Sequence, residues 1–286
     1  MVKLVECPRD AMQGLKTFIE TERKAAYINQ LLKVGFDTID FGSFVSPKAI
    51  PQMRDTAEVL RRLDLSQSRS KLLAIVANVR GANDALAFDE IDYLGYPFSV
   101  SETFQIRNTN ATIAESLDRV KEIQNLCMQR GKQLVIYISM AFGNPYGDPW
   151  NAEEVIKWVD QLTALGVRII QLSDTIGVSK PASITYLFSY LLPHYADSEV
   201  EIGAHLHTQP HNWREKVEAA YMSGCRRFDG AIRGYGGCPM AKDELTGNMP
   251  TELMAWYFKE IGVDTGLDEE AFQKAIEMAG EIFPAG

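Results

Sequence analysis

Two histidines separated by one residue close the segment Glu201-Ile202-Gly203-Ala204-His205-Leu206-His207-Thr208. In an extended strand, successive side chains alternate faces, so His205 and His207 share one face and Leu206 takes the other. Such a pair is half of a site for a divalent ion. A pair in a polar loop, or one core and one exposed histidine, is the plain alternative. Asp10 follows the first strand directly and could supply a carboxylate; otherwise it is an N-cap or loop residue. Asn248 could supply an amide oxygen; otherwise Gly247-Asn248 is an ordinary turn. Imidazole and oxygen donors without thiolate suit Mg2+, Mn2+, Fe2+, Co2+ or Zn2+. Such an ion can chelate a substrate's alkoxide and carbonyl oxygens and polarise both. Arg9 would then put a fixed cation where charge develops on a carbonyl oxygen, unless it only makes a surface ion pair. Cys238 lies in Gly234-Tyr235-Gly236-Gly237-Cys238-Pro239, a loop whose glycines leave it free to move over a cavity. Its thiol could act as acid or base, or could be a small packed residue.

These residues need a scaffold that brings distant parts of the chain together. Apolar strand patterns occur at Leu4-Val5-Glu6, Thr38 to Gly42, Leu72 to Ala77, Ile91 to Leu94, Gln133 to Ser139, Arg168 to Leu172, Glu201 to His205 and Arg227 to Gly230. Helical periodicity follows most of them, over Glu22 to Val34, Met53 to Leu63, Ala82 to Phe88, Thr112 to Arg130, Glu153 to Leu165, Pro181 to Leu192 and Asn212 to Met222. Thr112 and Glu115 form a capping-box pattern, and Gly35, Gly131 and Gly166 mark helix ends. About eight strand-then-helix units predict an α/β fold closed into a (β/α)8 TIM barrel. A doubly wound sheet is the alternative, but no Gly-x-Gly-x-x-Gly follows the first strand. Two more helical stretches, Leu253 to Ile261 and Glu269 to Ile282, close the barrel end, form a subunit contact or simply pack on it.

Barrel active sites gather at the C-terminal ends of strands. The polar residues there are Arg9 and Asp10, Asp40 and Ser43, Tyr137, Ser139 and Asn144, Ser173, Asp174 and Thr175, and the histidine pair. The 286 residues, 46% hydrophobic and 23% charged, read as one globular domain over 1–286. A net charge of −9 argues against nonspecific nucleic-acid or anionic-membrane binding. No apolar run is long enough to span a membrane, and the first residues do not read as a signal peptide. Four dispersed cysteines without a C-x-x-C pair argue against a zinc ribbon and for a reducing, cytoplasmic location.

Glu6-Cys7-Pro8-Arg9-Asp10-Ala11-Met12-Gln13, Ser43-Phe44-Val45-Ser46-Pro47, Ser173-Asp174-Thr175-Ile176-Gly177, His205-Leu206-His207, Gly236-Gly237-Cys238-Pro239 and Gly247-Asn248 occur in one order along nearly the whole chain. Together they resemble the 3-hydroxy-3-methylglutaryl-CoA lyase family of metal-dependent TIM-barrel lyases and Claisen-condensing enzymes. The resemblance implies Mg2+ or Mn2+ held by Asp10, His205, His207 and Asn248. It implies Arg9, Cys238 and Asp174 as catalytic residues, with Arg9 on the enolate oxygen and Cys238 in proton transfer. Gln13, Asp40, Ser43, Tyr137, Thr175 and Glu252 would face the substrate. The implied reaction is retro-Claisen cleavage of an acyl-CoA to acetyl-CoA and a keto acid such as acetoacetate, as in leucine degradation, by a homo-oligomer, dimer or tetramer.

The chain departs from that pattern in places. Cys7 alone stands where the lyases carry Val-Gly, which could shift Arg9 and Asp10. Asp40 replaces a glutamate, Val135 an arginine and Asn144 a cysteine, and Thr208-Gln209-Pro210-His211 follows the second histidine. The metal and enolate machinery is retained while the substrate shell is altered, so a related 3-hydroxy acid stays open. A condensing synthase or keto-acid aldolase is the alternative enzyme, although Gly-Gly-Cys-Pro argues against the synthases. A barrel that binds metal or CoA esters without turnover is the non-enzymatic alternative.

Overall fold

The computed structural model describes residues 1–237 and 246–283. Its strands are β1 (Lys3–Glu6), β2 (Thr38–Ser43), β3 (Lys71–Ile75), β4 (Tyr93–Ser99), β5 (Gln133–Ser139), β6 (Ile169–Asp174), β7 (Glu201–Thr208), β8 (Arg227–Gly230) and β9 (Gly247–Asn248). Strands β1 to β8 pair in sequence order and in parallel, and β1 with β8 closes the ring, so the (β/α)8 barrel is realised. Short β9 pairs antiparallel with β7, setting Asn248 opposite His207.

The helices are α1 (Pro8–Gln13), α2 (Thr21–Val34), α3 (Thr56–Leu60), α4 (Val79–Ala85), α5 (Glu102–Thr109), α6 (Ile113–Gln129), α7 (Ala152–Ala164), α8 (Pro181–His194), α9 (Trp213–Met222), α10 (Thr251–Glu260) and α11 (Glu269–Ile282). The capping box at Thr112 and Glu115 forms as expected, and Gly35 ends α2 in the left-handed region at φ 86°. Helix α10 packs on α9 and β8, as the last outer helix should, while α11 lies against α2. Edge-to-face contacts seat α11 and its end, Phe272 on Phe36 at 5.8 Å and Phe283 on Tyr27 at 5.9 Å.

Three segments differ from their sequence pattern. Strand β4 continues past Leu94 through Gly95 and Pro97, two residues that ordinarily weaken a strand. Gly95 is required by space: a Cβ there would lie 2.5 Å from Ile75 Cδ1 and 3.1 Å from Leu73 and Tyr137 side-chain carbons. Strand β7 runs on to Thr208, because β9 pairs with its end. Pro8-Arg9-Asp10 ends β1 but then forms the short helix α1, with Pro8 in the first turn, where a missing N–H costs nothing.

The alternation of strand residues divides two interiors. Leu134, Ile136 and Ile138 of β5 face the layer between sheet and helices, where most of the apolar core lies. Val135 and Tyr137 face the lumen, in a separate cluster with Leu73 and Ile169. Each fully buried aliphatic or aromatic side chain contributes roughly 1.5–3 kcal/mol.

One carboxyl is buried on the outer face of β1. Glu6 Oε1 accepts the Ile232 N–H at 2.9 Å, and Thr251 Oγ1 lies 2.6 Å from Oε2. Burial pushes its pKa up to about 8, against hydrogen bonds from Thr251 and Ile232 that lower it. The unfolded chain ionises this group near its ordinary value of 4.5. Its contribution is therefore complete below that pH and is lost as pH rises towards about 8. Glu6→Gln keeps both polar contacts without a titrating proton. Thermal melts should place the variant's Tm further above that of the native chain at about pH 8.5 than at about pH 5. A gap that does not widen with pH would refute the assignment.

Candidate metal centre

At the C-terminal mouth of the barrel, β7 directs His205 and His207 to the lumen side, with ring centroids 5.3 Å apart. Asp10, in the first turn of α1, reaches the same point. One ligand atom from each of Asp10, His205 and His207 lies within 4.8 Å of the other two, and all three residues are buried. His205 Nε2 is 3.9 Å from Asp10 Oδ2. Both Asp10 Oδ2 and His207 Nδ1 are buried without a hydrogen-bond partner among the described residues. An orphaned carboxylate oxygen and imidazole nitrogen in one buried cluster would each be costly unless something satisfies them. A divalent cation fits this donor set, two imidazoles and a carboxylate. Asn248 stands beside it: its side-chain nitrogen donates to the Tyr235 carbonyl at 2.8 Å, and its amide helps to hold the Asp10 carboxyl below its ordinary value.

Charge is organised around Arg9. Its Nε lies 3.0 and 3.2 Å from the two Asp40 oxygens, its Nη2 donates to Asp40 at 2.5 Å, and its Nη1 donates to Asp10 Oδ1 at 3.0 Å. The one-residue contraction at Cys7 thus leaves Arg9 and Asp10 at the mouth, with the Cys7 N–H still donating to Gly230 at 2.9 Å. Burial would raise the Asp10 pKa, but Arg9, His205, His207 and the Asn248 bond together hold it below the ordinary value. Burial pushes Asp40 up to about 6 in spite of Arg9. His207 is driven down to about 4 by burial and by His205, so it is a neutral donor of a lone pair at pH 7.

His205 has support that its motif does not reveal. Burial would lower its pKa, but the hydrogen bond and charge of Asp229, aided by Asp10, raise it. Asp229 Oδ2 takes His205 Nδ1 at 3.0 Å, and Gln171 Nε2 donates to the other Asp229 oxygen at 2.5 Å. Nδ1 is thereby occupied and Nε2 is left facing Asp10, so the carboxylate behind the ring fixes its tautomer and orientation. Gln171 can lie across the barrel only because residue 203 is glycine; a Cβ there would overlap its side-chain carbonyl. The period-2 pattern of Arg227-Phe228-Asp229 carries the one available signal, since a buried outward Phe228 implies an inward Asp229.

The remaining sequence candidates fall in different places. Tyr137 lies in the lumen with its ring edge-on to His205 at 5.5 Å, and its buried hydroxyl has no partner among the described residues. Ser43, at the end of β2, also presents a buried hydroxyl without a partner among the described residues. Gln13 donates to Asp10 Oδ1. Thr175 accepts the N–H of Met140, which it holds at φ 60°, a left-handed conformation unusual for methionine. Glu252 accepts the Arg233 N–H at 2.8 Å near the base of α10. Among the described residues the Asp174 carboxylate takes its hydrogen bonds from Lys216 and Ser179, and it acts on His207 by its charge. Cys238 lies outside the described residues.

The departures are separated by the same geometry. Asp40 and Val135 face the lumen. Asn144 closes a turn, its oxygen accepting the Tyr146 and Asp148 N–H groups. The Thr208 hydroxyl donates to the Asn248 carbonyl at 3.3 Å.

Asp229→Asn keeps the oxygen that Gln171 needs and removes the charge behind His205. The variant should fold normally and bind Mn2+ about 10- to 100-fold more weakly by calorimetric titration. Unchanged affinity would separate Asp229 from the centre.

The model of the HMGL-like family matches residues 2–278. A hydroxymethylglutaryl-CoA lyase of Bacillus subtilis is 31% identical over 96% of this chain and 90% of its own length. The cytoplasmic 3-hydroxy-3-methylglutaryl-CoA lyase of Danio rerio is 33% identical over 93% of this chain and 78% of its own. Among solved structures, an HMG-CoA lyase from Acinetobacter baumannii, in complex with coenzyme A and 3-methylmalate, superposes with a TM-score of 0.91 at 31% identity, covering 99% of this chain and 91% of that one. With the family model matching nearly the whole chain and relatives above 30% identity, the chain belongs to the HMGL-like family, and carbon–carbon lyases are its relatives.

Proposed function

We propose that this protein is a divalent-metal-dependent carbon–carbon lyase that cleaves 3-hydroxy-3-methylglutaryl-CoA, or a close 3-hydroxyacyl-CoA relative, to acetyl-CoA and a keto acid such as acetoacetate. One observation supports this most directly: a buried guanidinium stands beside the Asp10, His205 and His207 cluster at the barrel mouth. Asp10, His205, His207 and Asn248 would hold Mg2+ or Mn2+. When bound, the ion supplies Lewis-acid polarisation of the substrate's hydroxyl and carbonyl oxygens.

The chain's own residues account for the rest. Cleavage passes the hydroxyl proton to a base or to water, breaks the bond between the α- and β-carbons, turns the hydroxyl carbon into the keto carbonyl, and leaves the electron pair on the thioester as an enolate. Arg9 uses one hydrogen on each of its three nitrogens for Asp40 and Asp10, so the outer hydrogens of Nη1 and Nη2 remain to meet the enolate oxygen. Asp40 and Asp10 hold that fork in place before substrate arrives, and preorganised donors of this kind cost no reorganisation in the transition state. A thiol at Cys238 would deliver the proton that converts the enolate to acetyl-CoA. The unpartnered hydroxyls of Tyr137 and Ser43 are available to orient the acyl chain. The family resemblance further supports a cytoplasmic homo-oligomer.

Purified protein with Mg2+ or Mn2+ and 3-hydroxy-3-methylglutaryl-CoA should release acetyl-CoA in a coupled assay, and His205→Ala and Cys238→Ser should abolish it. Metal binding without cleavage would transfer the activity to another acyl chain or remove it. Arg9→Lys keeps the charge and loses the planar fork. It should lower kcat about 100-fold while Mn2+ affinity stays within a few-fold. An equal loss of metal affinity would place Arg9 in ion binding instead.

A further inference from the structure

Lys216, on α9, is fully buried. An ammonium has three donors and no acceptor, and each donor is used. Asp174 Oδ2 lies at 2.8 Å, the His207 carbonyl at 2.9 Å and the Gly177 carbonyl at 3.0 Å. Asp174 is equally buried, and Ser179 completes its shell, its N–H 3.1 Å from both oxygens and its hydroxyl at 2.5 Å. A buried ion pair adds little net stability compared with an apolar pair of the same volume. Its value here lies in what it holds.

The β6–β7 ladder ends with Asp174 opposite Leu206, one residue short of His207. On that side the His207 carbonyl takes an ammonium in place of a strand partner, while β9 pairs on the other side. The same ammonium grips Gly177, which sits at φ 71° with Thr246 occupying the space a side chain would need; a Cβ there would lie 3.1 Å from the Thr246 Cβ. Thr246 also hydrogen-bonds the Ile176 carbonyl at 3.4 Å and leads directly into Gly247-Asn248. One buried cation therefore fixes the backbone of His207 and, through Gly177 and Thr246, the approach of Asn248.

We infer that Lys216 is a positioning residue for the metal centre, with Asp174 as its anchor. It touches no reacting atom. This rests on the metal reading of Asp10, His205, His207 and Asn248 above.

The test uses apo protein of the full chain titrated with Mn2+ by calorimetry, alongside thermal melts. Lys216→Met keeps the stem and removes the cation, and the double variant Lys216→Met/Asp174→Asn also removes the stranded charge. By charge alone, deleting Lys216 should tighten binding of a dication, and deleting the neutral pair should leave it unchanged. Positioning has the opposite sign: the folded double variant should bind Mn2+ at least about tenfold more weakly. Should it not fold, Lys216→Met by itself answers the question through the same sign. Weaker Mn2+ binding by a folded variant supports the inference, and unchanged or tighter binding overturns it. Failure of the native chain to bind Mn2+ would instead overturn the metal reading itself.

Discussion

The buried guanidinium of Arg9 is the interaction on which the site depends. Asp10, Asp40 and Asp229 crowd the upper lumen with carboxylates, and their side chains are almost wholly withdrawn from water. Unpaired, such charges would neutralise or unfold the mouth. Arg9 reaches two of them through a rigid planar fork, and His205 takes the third. That pairing stabilises the carboxylates in a dry cavity while leaving one oxygen of Asp10 without a partner. The same geometry that lets the barrel fold thus leaves an unsatisfied donor set for a cation.

Around this centre, each candidate ligand has a different kind of support. Asp10 is carried by the short helix α1 and pinned by Arg9 and Gln13. His205 is oriented from inside the lumen by Asp229 and Gln171, with Gly203 supplying the space. His207 is held from outside the barrel by Lys216, and Asn248 arrives on a two-residue strand paired to His207. The supports come from both interiors of the barrel, so changes in the helical layer can reach the mouth without touching it.

The altered positions acquire distinct meanings from the same arrangement. Asn144 serves its own turn, and Thr208 braces the strand that carries Asn248. Asp40 and Val135 remain as lumen-facing changes. Asp40 is spent on Arg9, and Val135 is buried in the lumen against Leu73 and Tyr137.

Much of this was legible in the chain. Period-2 alternation put His205 and His207 on one face, and repeated strand-then-helix units required a closed parallel barrel, because such local patterns arise from backbone geometry alone. Residues after strands could be grouped as one mouth for the same reason. The supporting residues were not legible. Asp229, Gln171 and Lys216 carry no motif, and each acquires its role from a partner far away in sequence: 24 residues for Asp229 with His205, 58 for Gln171 with Asp229, 42 for Lys216 with Asp174. Asp174 shows the limit most clearly. It sits in a motif at a strand end, but its phase on β6 turns it towards α9 and Lys216 rather than into the lumen. The order of residues determined which groups reach the barrel mouth. Closure of the barrel and packing of its helices decided which way each one points and what neutralises it, because burial makes the charge of every such group depend on its neighbours.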